Sequence, residues 1–494
     1  MTETRRDFIK KTTCALSMTA VATQMQHMGM MSALAQKTDD NANNAVAGNN
    51  YKAIVLLYWQ GGNDGNNLVI PIHNDASISN YSAYSAARST QGLALSQNSL
   101  LPISVPRMGG LSYGLHPALG TVSGGINNGI YELWAQQKLA IVTNCGTLVR
   151  PMTKAQYQNN SIPKPYQLYS HSDQVNQSQT SIANTAAFTG WGGRIADRLT
   201  ASSNPGGLVP MITSIAGAQL FTAAQSTLPM AINDSNTSLA NVLNPSGFAN
   251  NASGNARKAA FNQLRTQDLD SNFIRAASNV TELAMQANNA LQTSQDVTVT
   301  FPNTGLGRQL RQIARLIKKR TDLSVNRQIF YCQIGGFDTH QDQLSQHVNL
   351  FTQYSQAVRA FYDEMGVQGV QNDVTVFTLS DFNRTFNPAG SGSSVGTDHA
   401  WGNHMFVIGG SVMGGDFYGM NTTNGTPFPT LTIGTSGPDD TNNGSGARGR
   451  WIPTTSVEQY AATIARWYGL PENQMAEVFP NIGNFTSSNL GFMQ

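Results

Sequence analysis

Four near-continuous apolar runs punctuate the chain: Lys52–Trp59 (KAIVLLYW), Lys138–Thr143 (KLAIVT), Gln328–Ile334 (QIFYCQI) and Val374–Leu379 (VTVFTL). Runs of this length without polar alternation predict strands buried on both faces. Shorter runs at Val209–Ile215 and Met405–Ile408 predict two more. Helical patterns lie between them, at Ile130–Trp134, Trp191–Leu199, Leu344–Met365 and Val457–Trp467. Leu306–Arg320 has helical periodicity with one basic, solvated face. Alternation of buried strands with helices predicts an α/β fold. It is a three-layer α/β/α sandwich on a mostly parallel sheet, with 52–59 and 138–143 joined as a βαβ unit. Residues 72–110 read as short helices and loops. The Asn-, Ser-, Ala- and Gln-rich stretch 232–304 reads as a helical insertion or cap. The expected organisation is one domain over 51–494, preceded by a polar linker (36–50) and a distinct N-terminal segment (1–35).

Chemistry gathers where the strand runs stop. The first ends in Gln60-Gly61-Gly62-Asn63-Asp64-Gly65 and the second in Gly146-Thr147. The third runs into Gly335-Gly336-Phe337-Asp338-Thr339-His340, and the fourth into Ser380-Asp381. In open α/β sheets ligands bind beyond the carboxyl ends of the strands. Asp338 and His340 are two apart, so extended backbone sends both side chains to one side. A Gly/Ser-rich loop after Asp381 leads to Asp398, His399 and His404. Asp64, Asp338, His340, Asp381, His399 and His404 are therefore the candidate ligands of one or two divalent ions, Zn²⁺, Mn²⁺, Mg²⁺ or Ca²⁺. The alternative for Asp64 is a plain Asn-Asp-Gly turn. Asp398 could orient His399 instead of binding metal. Arg150 and Arg384 are candidates for gripping an anionic ester oxygen, with a loop-holding ion pair as the alternative for Arg384. His73, His116 and His347 read as surface or core histidines, and Trp401 as a pocket wall or packing.

Charge alters the picture at the N-terminus. Residues 1–35 carry Arg5, Arg6, Lys10 and Lys11 against Glu3 and Asp7, which is +2; the whole chain is also +2, so the remainder is neutral. A neutral body lacks the basic field on which nucleic-acid binding relies, and no nucleic-acid partner is expected. The paired arginines in Thr4-Arg5-Arg6-Asp7-Phe8-Ile9-Lys10, the moderately apolar Thr12–Met31 and the small residues Ala33-Leu34-Ala35 have the form of a twin-arginine signal. That predicts the twin-arginine translocase as a partner and a periplasmic or secreted protein; the alternative is an amphipathic N-terminal helix. No later run is long and apolar enough for a transmembrane segment in the mature chain. Charged residues make up 12%, about half the usual share of roughly 25%. Cys145 and Cys332 sit in apolar runs without CxxC spacing and read as buried thiols, or as a disulfide in an oxidising compartment.

Three stretches carry a resemblance: GGNDGNNLVIP at 61–71, GGFDTHQDQ at 335–343, and DFNRT with GTDHAWGNHMFVIGG across 381–410. With the signal and the ending RWIPTTSVEQYAATIARWYGLP, they resemble the bacterial domain-of-unknown-function family 1501. That family is placed with the alkaline phosphatase-like superfamily, alongside sulfatases. The resemblance implies that Asp64 matches a first-strand metal aspartate and that Asp338/His340 match an Asp/His pair. Asp381 falls where the superfamily shows Asp-His, but Phe382 follows it here, so His399 or His404 would supply the imidazole. It further implies a nucleophile at a helix start after the second strand. Ser170 beside His171 fits, with Thr147 and Ser172 as alternatives. Cys145 lacks the CxPxR context of a formylglycine sulfatase. The function expected is an exported metal-dependent hydrolase of phosphate or sulfate esters, acting on a small-molecule or polysaccharide substrate. The alternative is a non-catalytic exported binding or assembly protein that keeps the fold.

Overall fold

All four apolar runs are strands of one sheet. The structure is a computed structural model and describes residues 50–121, 128–242, 248, 251–267, 272–292 and 296–494. The signal-like segment 1–35 and residues 36–49 of the linker lie outside the described residues. The strands are β1 (Lys52–Trp59), β2 (Val69–Pro71), β3 (Leu101–Val105), β4 (Leu111–Leu115), β5 (Leu139–Gly146) and β6 (Ile212–Ser214). They continue with β7 (Met230–Ala231), β8 (Arg327–Ile334), β9 (Val374–Ser380), β10 (Asn403–Gly409), β11 (Phe417–Tyr418) and β12 (Thr455–Ser456). The large sheet has the order β11-β5-β10-β9-β1-β8-β6-β7, with β12 also pairing β5. Every pairing in it is parallel except those of β10, which runs antiparallel to β5 and β9.

Strand periodicity divides the core into two layers. Ala53, Val55, Leu57 and Trp59 face helix α5 (Gly305–Lys318) through Leu310 and Ile313, and helix α6 (Gln343–Val367) through Phe351 and Phe361. Ile54, Leu56 and Tyr58 face the other way, toward Trp191 and Ile195 of α4 (Trp191–Ser203) and Tyr460 and Ile464 of α7 (Val457–Tyr468). Helices cover both faces, as the continuous apolar runs required. The basic face of α5 is anchored as well as solvated, since Arg311, Arg315 and Lys318 all bond to Asp296. Among the described residues of 232–304 are the helices Ala252–Arg265 and Asn272–Gln292.

Two expectations need correction. Residues 72–110 were expected as helices and loops. They hold helix α2 (Tyr81–Arg88) and also the strand β3, which joins β4 and β2 in a separate antiparallel sheet. Gly110 and the left-handed Gly109 turn that hairpin, and its short half-exposed strands lack the long apolar run that marks a buried one. β5, for its part, is not the neighbour of β1, because β9 and β10 lie between them. Local pattern identifies a strand but not its partners. Cys145 and Cys332 are buried and free. Among the described residues no helix is long and apolar enough to cross a membrane.

Register sets the working edge. Trp59 is level with both Ile334 and Ser380, so β1, β8 and β9 end together. β10 runs the opposite way and starts at that edge, with Asn403 opposite Cys145 near the end of β5. The loops after 59, 146, 334 and 380 therefore share one rim.

Within the second layer Glu458, in the first turn of α7, is buried. Asn481 donates to its Oε1 at 3.0 Å while Oε2 has no partner. Burial pushes its carboxyl up to about 8. The folded state then holds a proton that the unfolded chain releases near pH 4.5. The stability this group contributes is full below that pH and is lost as pH rises to about 8, with a slope approaching about 1.4 kcal/mol per pH unit. Glu458→Gln should flatten this slope in urea unfolding at pH 5 to 8. An unchanged slope in the variant would show that Glu458 is ionised in the folded protein.

Candidate metal centre

Helix α3 (His171–Thr180) begins at the shared rim, and its first residue turns an imidazole toward the loop after β8. There three donor atoms meet. His171 Nε2 lies 3.1 Å from His399 Nε2 and 3.3 Å from Asp338 Oδ1, and His399 Nε2 lies 3.5 Å from that same oxygen. Among the described residues this is the set of acid, His and Cys donors close enough together to share an ion. A tetrahedral zinc ion with bonds of about 2.0–2.1 Å keeps its ligand atoms about 3.3–3.5 Å apart, so the triangle fits. Two imidazoles and a carboxylate suit Zn²⁺ better than Mg²⁺ or Ca²⁺, which prefer oxygen throughout.

The far nitrogens of both rings are tied down. His171 Nδ1 is 2.7 Å from Asp381 Oδ2, and His399 Nδ1 is 2.8 Å from the carbonyl of Tyr169. A hydrogen on each Nδ1 leaves the Nε2 lone pair for a cation, the usual support of a metal-bound histidine. Tyr169 presents that carbonyl from left-handed backbone, φ +74°. Asp381 is thus brought to the centre behind His171 and not as a ligand. Its other oxygen accepts from Gly61 N at 3.1 Å. Its hydrogen bond to His171 outweighs burial and raises the imidazole pKa. Burial instead lowers that of His399.

Phe382 stands where the superfamily pattern has a histidine. Its ring packs at 4.7 Å from both the His171 and the His399 rings, forming the wall on which they rest. Arg384 is fully buried. Its guanidinium donates to the carbonyls of Gly61, Gly62, Phe337 and Thr397 and to Asp338 Oδ1. Each of its three nitrogens bonds to a loop acceptor and the side chain is fully buried, so it ties loops together; the loop-holding alternative is the one observed. Burial would raise the Asp338 carboxyl, but Arg384, His171 and His340 hold it down to about 2. Side chains are barred where the first loop passes beneath. A Cβ on Gly61 (φ +111°) would lie 2.5 Å from Asp338 N, and one on Gly62 (φ +81°) 2.5 Å from the Phe382 ring.

His340 is beside the triangle. Its Nε2 is 3.0 Å from Asp338 Oδ1 and its Nδ1 is 3.5 Å from Asp398, which Arg448 holds at 3.1 Å. The i, i+2 pairing read from the sequence is present, and Asp398 orients His340 in place of His399.

Four other candidates are elsewhere. Asp64 is buried with both oxygens filled. Oδ1 accepts from Asn66 N, and Oδ2 accepts from Arg88 of α2 at 2.5 Å and from Gln343 of α6 at 2.5 Å. It caps the short helix Gly65–Leu68, so it is a structural carboxylate. His404 is buried against Phe428, with Nδ1 accepting from Asn144 N, and burial lowers its pKa to about 3. Ser170 caps α3 with its hydroxyl given to Asp173 at 2.5 Å; the hydrogen bonds of His171 go to Asp381 and His399. Arg150 is exposed in the turn after β5. The sequence marks His171 as a catalytic candidate beside Ser170 and not as a ligand, whereas the structure brings it into the donor triangle. Sequence reasoning missed Tyr169 and Arg450 altogether, the latter donating from Nε to the His399 carbonyl at 2.8 Å. No local signal marks these, since each acts across the fold.

A family model described as "Protein of unknown function (DUF1501)" matches residues 51–427. The chain belongs to the DUF1501 family. The match includes all three loops that build the centre of this DUF1501 protein. Among curated proteins there is no match. Of solved structures, Ps i-CgsB in complex with k-i-k-neocarrahexaose is 8% identical, covering 89% of this chain and 77% of that one, at a TM-score of 0.33. Ps i-CgsB alone gives a TM-score of 0.32 at the same identity and coverage. A protein in the alkaline phosphatase superfamily from Vibrio parahaemolyticus is 10% identical over 77% of this chain and 68% of that one, at a TM-score of 0.27. Likeness this slight says nothing about the site, and the assignment of the centre stands on its own geometry.

The two buried aspartates should separate cleanly on mutation. Asp64→Ala leaves Arg88 buried and unpaired, and should cost about 3–5 kcal/mol in urea unfolding while the folded fraction binds added Zn²⁺ as the wild type does. Asp381→Ala should weaken zinc binding by about 10–100-fold in chelator competition. Zinc lost from Asp64→Ala but retained at full affinity by Asp381→Ala would reverse these roles.

Proposed function

We propose that this protein is an exported, one-zinc hydrolase of phosphate or sulfate esters. The observation that carries the reading is the donor triangle, with edges of 3.1–3.5 Å and both imidazoles anchored through Nδ1. Three protein ligands with a fourth position open are characteristic of catalytic rather than structural zinc. When bound, such an ion supplies Lewis-acid polarisation of an ester oxygen. His171, Asp338 and His399 hold it, Asp381 and Tyr169 fix the two rings, and Phe382 shields one side from water. His340, half-exposed and backed by Asp398, gives a proton to the leaving oxygen. Ser170 and Ser172 both give their hydroxyls to Asp173, and Thr147 is buried against Gln174; the reading takes water as the attacking group. Twin-arginine export, one domain across 51–494 and an anionic ester of a small molecule or polysaccharide belong to the same reading.

A second reading has its own support. Among the described residues, none of the hydrogen bonds made by His171, Asp338 or His399 goes to a Ser or Thr hydroxyl. A metal-bearing binding or assembly protein would need none. Metal analysis and turnover of 4-nitrophenyl phosphate and sulfate decide between the two. The hydrolase should hold one zinc per chain, and lose both zinc and turnover in Asp338→Asn. His340→Gln should keep its zinc while kcat drops by about 10²–10⁴-fold. Zinc at one per chain without turnover of either ester would establish the second reading, and absence of tightly bound metal would refute both.

A further inference from the structure

The cations around the centre fall into two kinds. Arg384 and Arg448 are each neutralised, by Asp338 and Asp398 respectively. Arg450 and Lys164 have no carboxylate partner among the described residues. The Arg450 backbone N–H donates to Asp440 Oδ1 at 3.2 Å, and its side chain is located by two contacts: its Nε donates to the His399 carbonyl at 2.8 Å, and its guanidinium lies 4.8 Å from the Tyr169 ring centre. Its terminal nitrogens make no hydrogen bond among the described residues. Lys164 sits over the Tyr157 ring at 3.8 Å. The two rings are linked through their hydroxyls, Tyr157 Oη to Tyr169 Oη at 3.3 Å. Lys164, Tyr157, Tyr169 and Arg450 thus form one continuous strip; its inner end, Arg450, donates to the His399 carbonyl, and the residue before it in the strip, Tyr169, is the one whose carbonyl orients His399.

In a body with no net charge, two unneutralised cations on aromatic supports form a built anion-binding surface. Ring faces fix each cation at low entropic cost. The unused Arg450 nitrogens offer the paired donors that a sulfate or phosphate accepts. We propose that this strip is a subsite for a second anionic group of the substrate, outside the metal centre. The substrate class it selects carries a second sulfate or phosphate group beside the ester at the centre, and is not an isolated monoester. This rests on the zinc-hydrolase reading for what happens at the centre, but the strip itself binds without turnover.

Calorimetry on the zinc-loaded full chain tests it, with inorganic sulfate and a fully sulfated tetrasaccharide as probes at two ionic strengths. The wild-type protein should bind the tetrasaccharide at least tenfold more tightly than sulfate. The double variant Arg450→Met, Lys164→Met should lose at least tenfold in tetrasaccharide affinity and show a flatter salt dependence, since two screened contacts are gone. Lys164→Met alone, which touches only the Tyr157 ring, should keep the zinc content of the wild type while losing part of the tetrasaccharide affinity. Arg450→Lys with Lys164→Arg, which keeps both charges, should retain most of the tetrasaccharide affinity and guards against a folding defect. Equal affinity in the wild type and the Met variant, or no preference of the wild type over sulfate, overturns the strip while leaving a zinc-bearing centre intact. Tetrasaccharide binding that depends on the strip in a chain without zinc upholds the strip and overturns the hydrolase reading alone.

Discussion

The centre depends on one buried charge. Arg384 brings a guanidinium out of water and into the space between three loops, where only a full set of acceptors makes it tolerable. Four backbone carbonyls and the Asp338 carboxylate supply that set. Each acceptor belongs to a loop that builds the centre: Gly61 and Gly62 after β1, Phe337 and Asp338 after β8, Thr397 before His399. A lysine has three donors and no planar fork, so it could not hold all three loops at once. The same guanidinium keeps Asp338 ionised, so one residue sets both the position and the charge of the carboxylate.

A second buried pair repeats the principle one layer deeper. Asp64 and Arg88 link the first loop to helix α2, and Gln343 extends the link to the start of α6. With 12% of residues charged, this protein spends several of its few ions inside, where each has a named partner. The exterior around the centre then carries its charge sparsely. That is why two cations without a counter-charge are conspicuous there.

What the sequence made legible follows the range of the interactions involved. Strands announced themselves because burial on both faces needs an uninterrupted apolar run, and β1, β8 and β9 were read within a residue or so of their limits. Asp338 and His340 were legible because alternation over two residues is a local rule. Asp381 was found but misplaced by one shell, because its partner His171 is 210 positions away. Asp64 looked like a ligand because glycines flank it; its true partner, Arg88, is 24 residues on, in a helix whose packing no local pattern describes. The separate antiparallel sheet escaped notice since its strands are short and half-exposed. Phe382 looked like a loss relative to the family resemblance, and its ring instead seats the two imidazoles.

The reversed direction of β10 has an evolutionary corollary. Because β9 ends at the rim and β10 starts from it, the segment 381–402 is a hairpin connection, not a crossover, and both its ends are fixed on the same edge. Closing such a loop becomes harder only slowly with length, by about 0.6 kcal/mol per doubling. Residues between Phe386 and Thr397 can therefore be lengthened, shortened or exchanged without changing strand order or any helix. Arg384 and His399 stand at the two fixed shoulders of this segment, so the centre can persist while the tip diversifies. A fold arranged this way can vary what approaches the donor triangle without rebuilding what holds it.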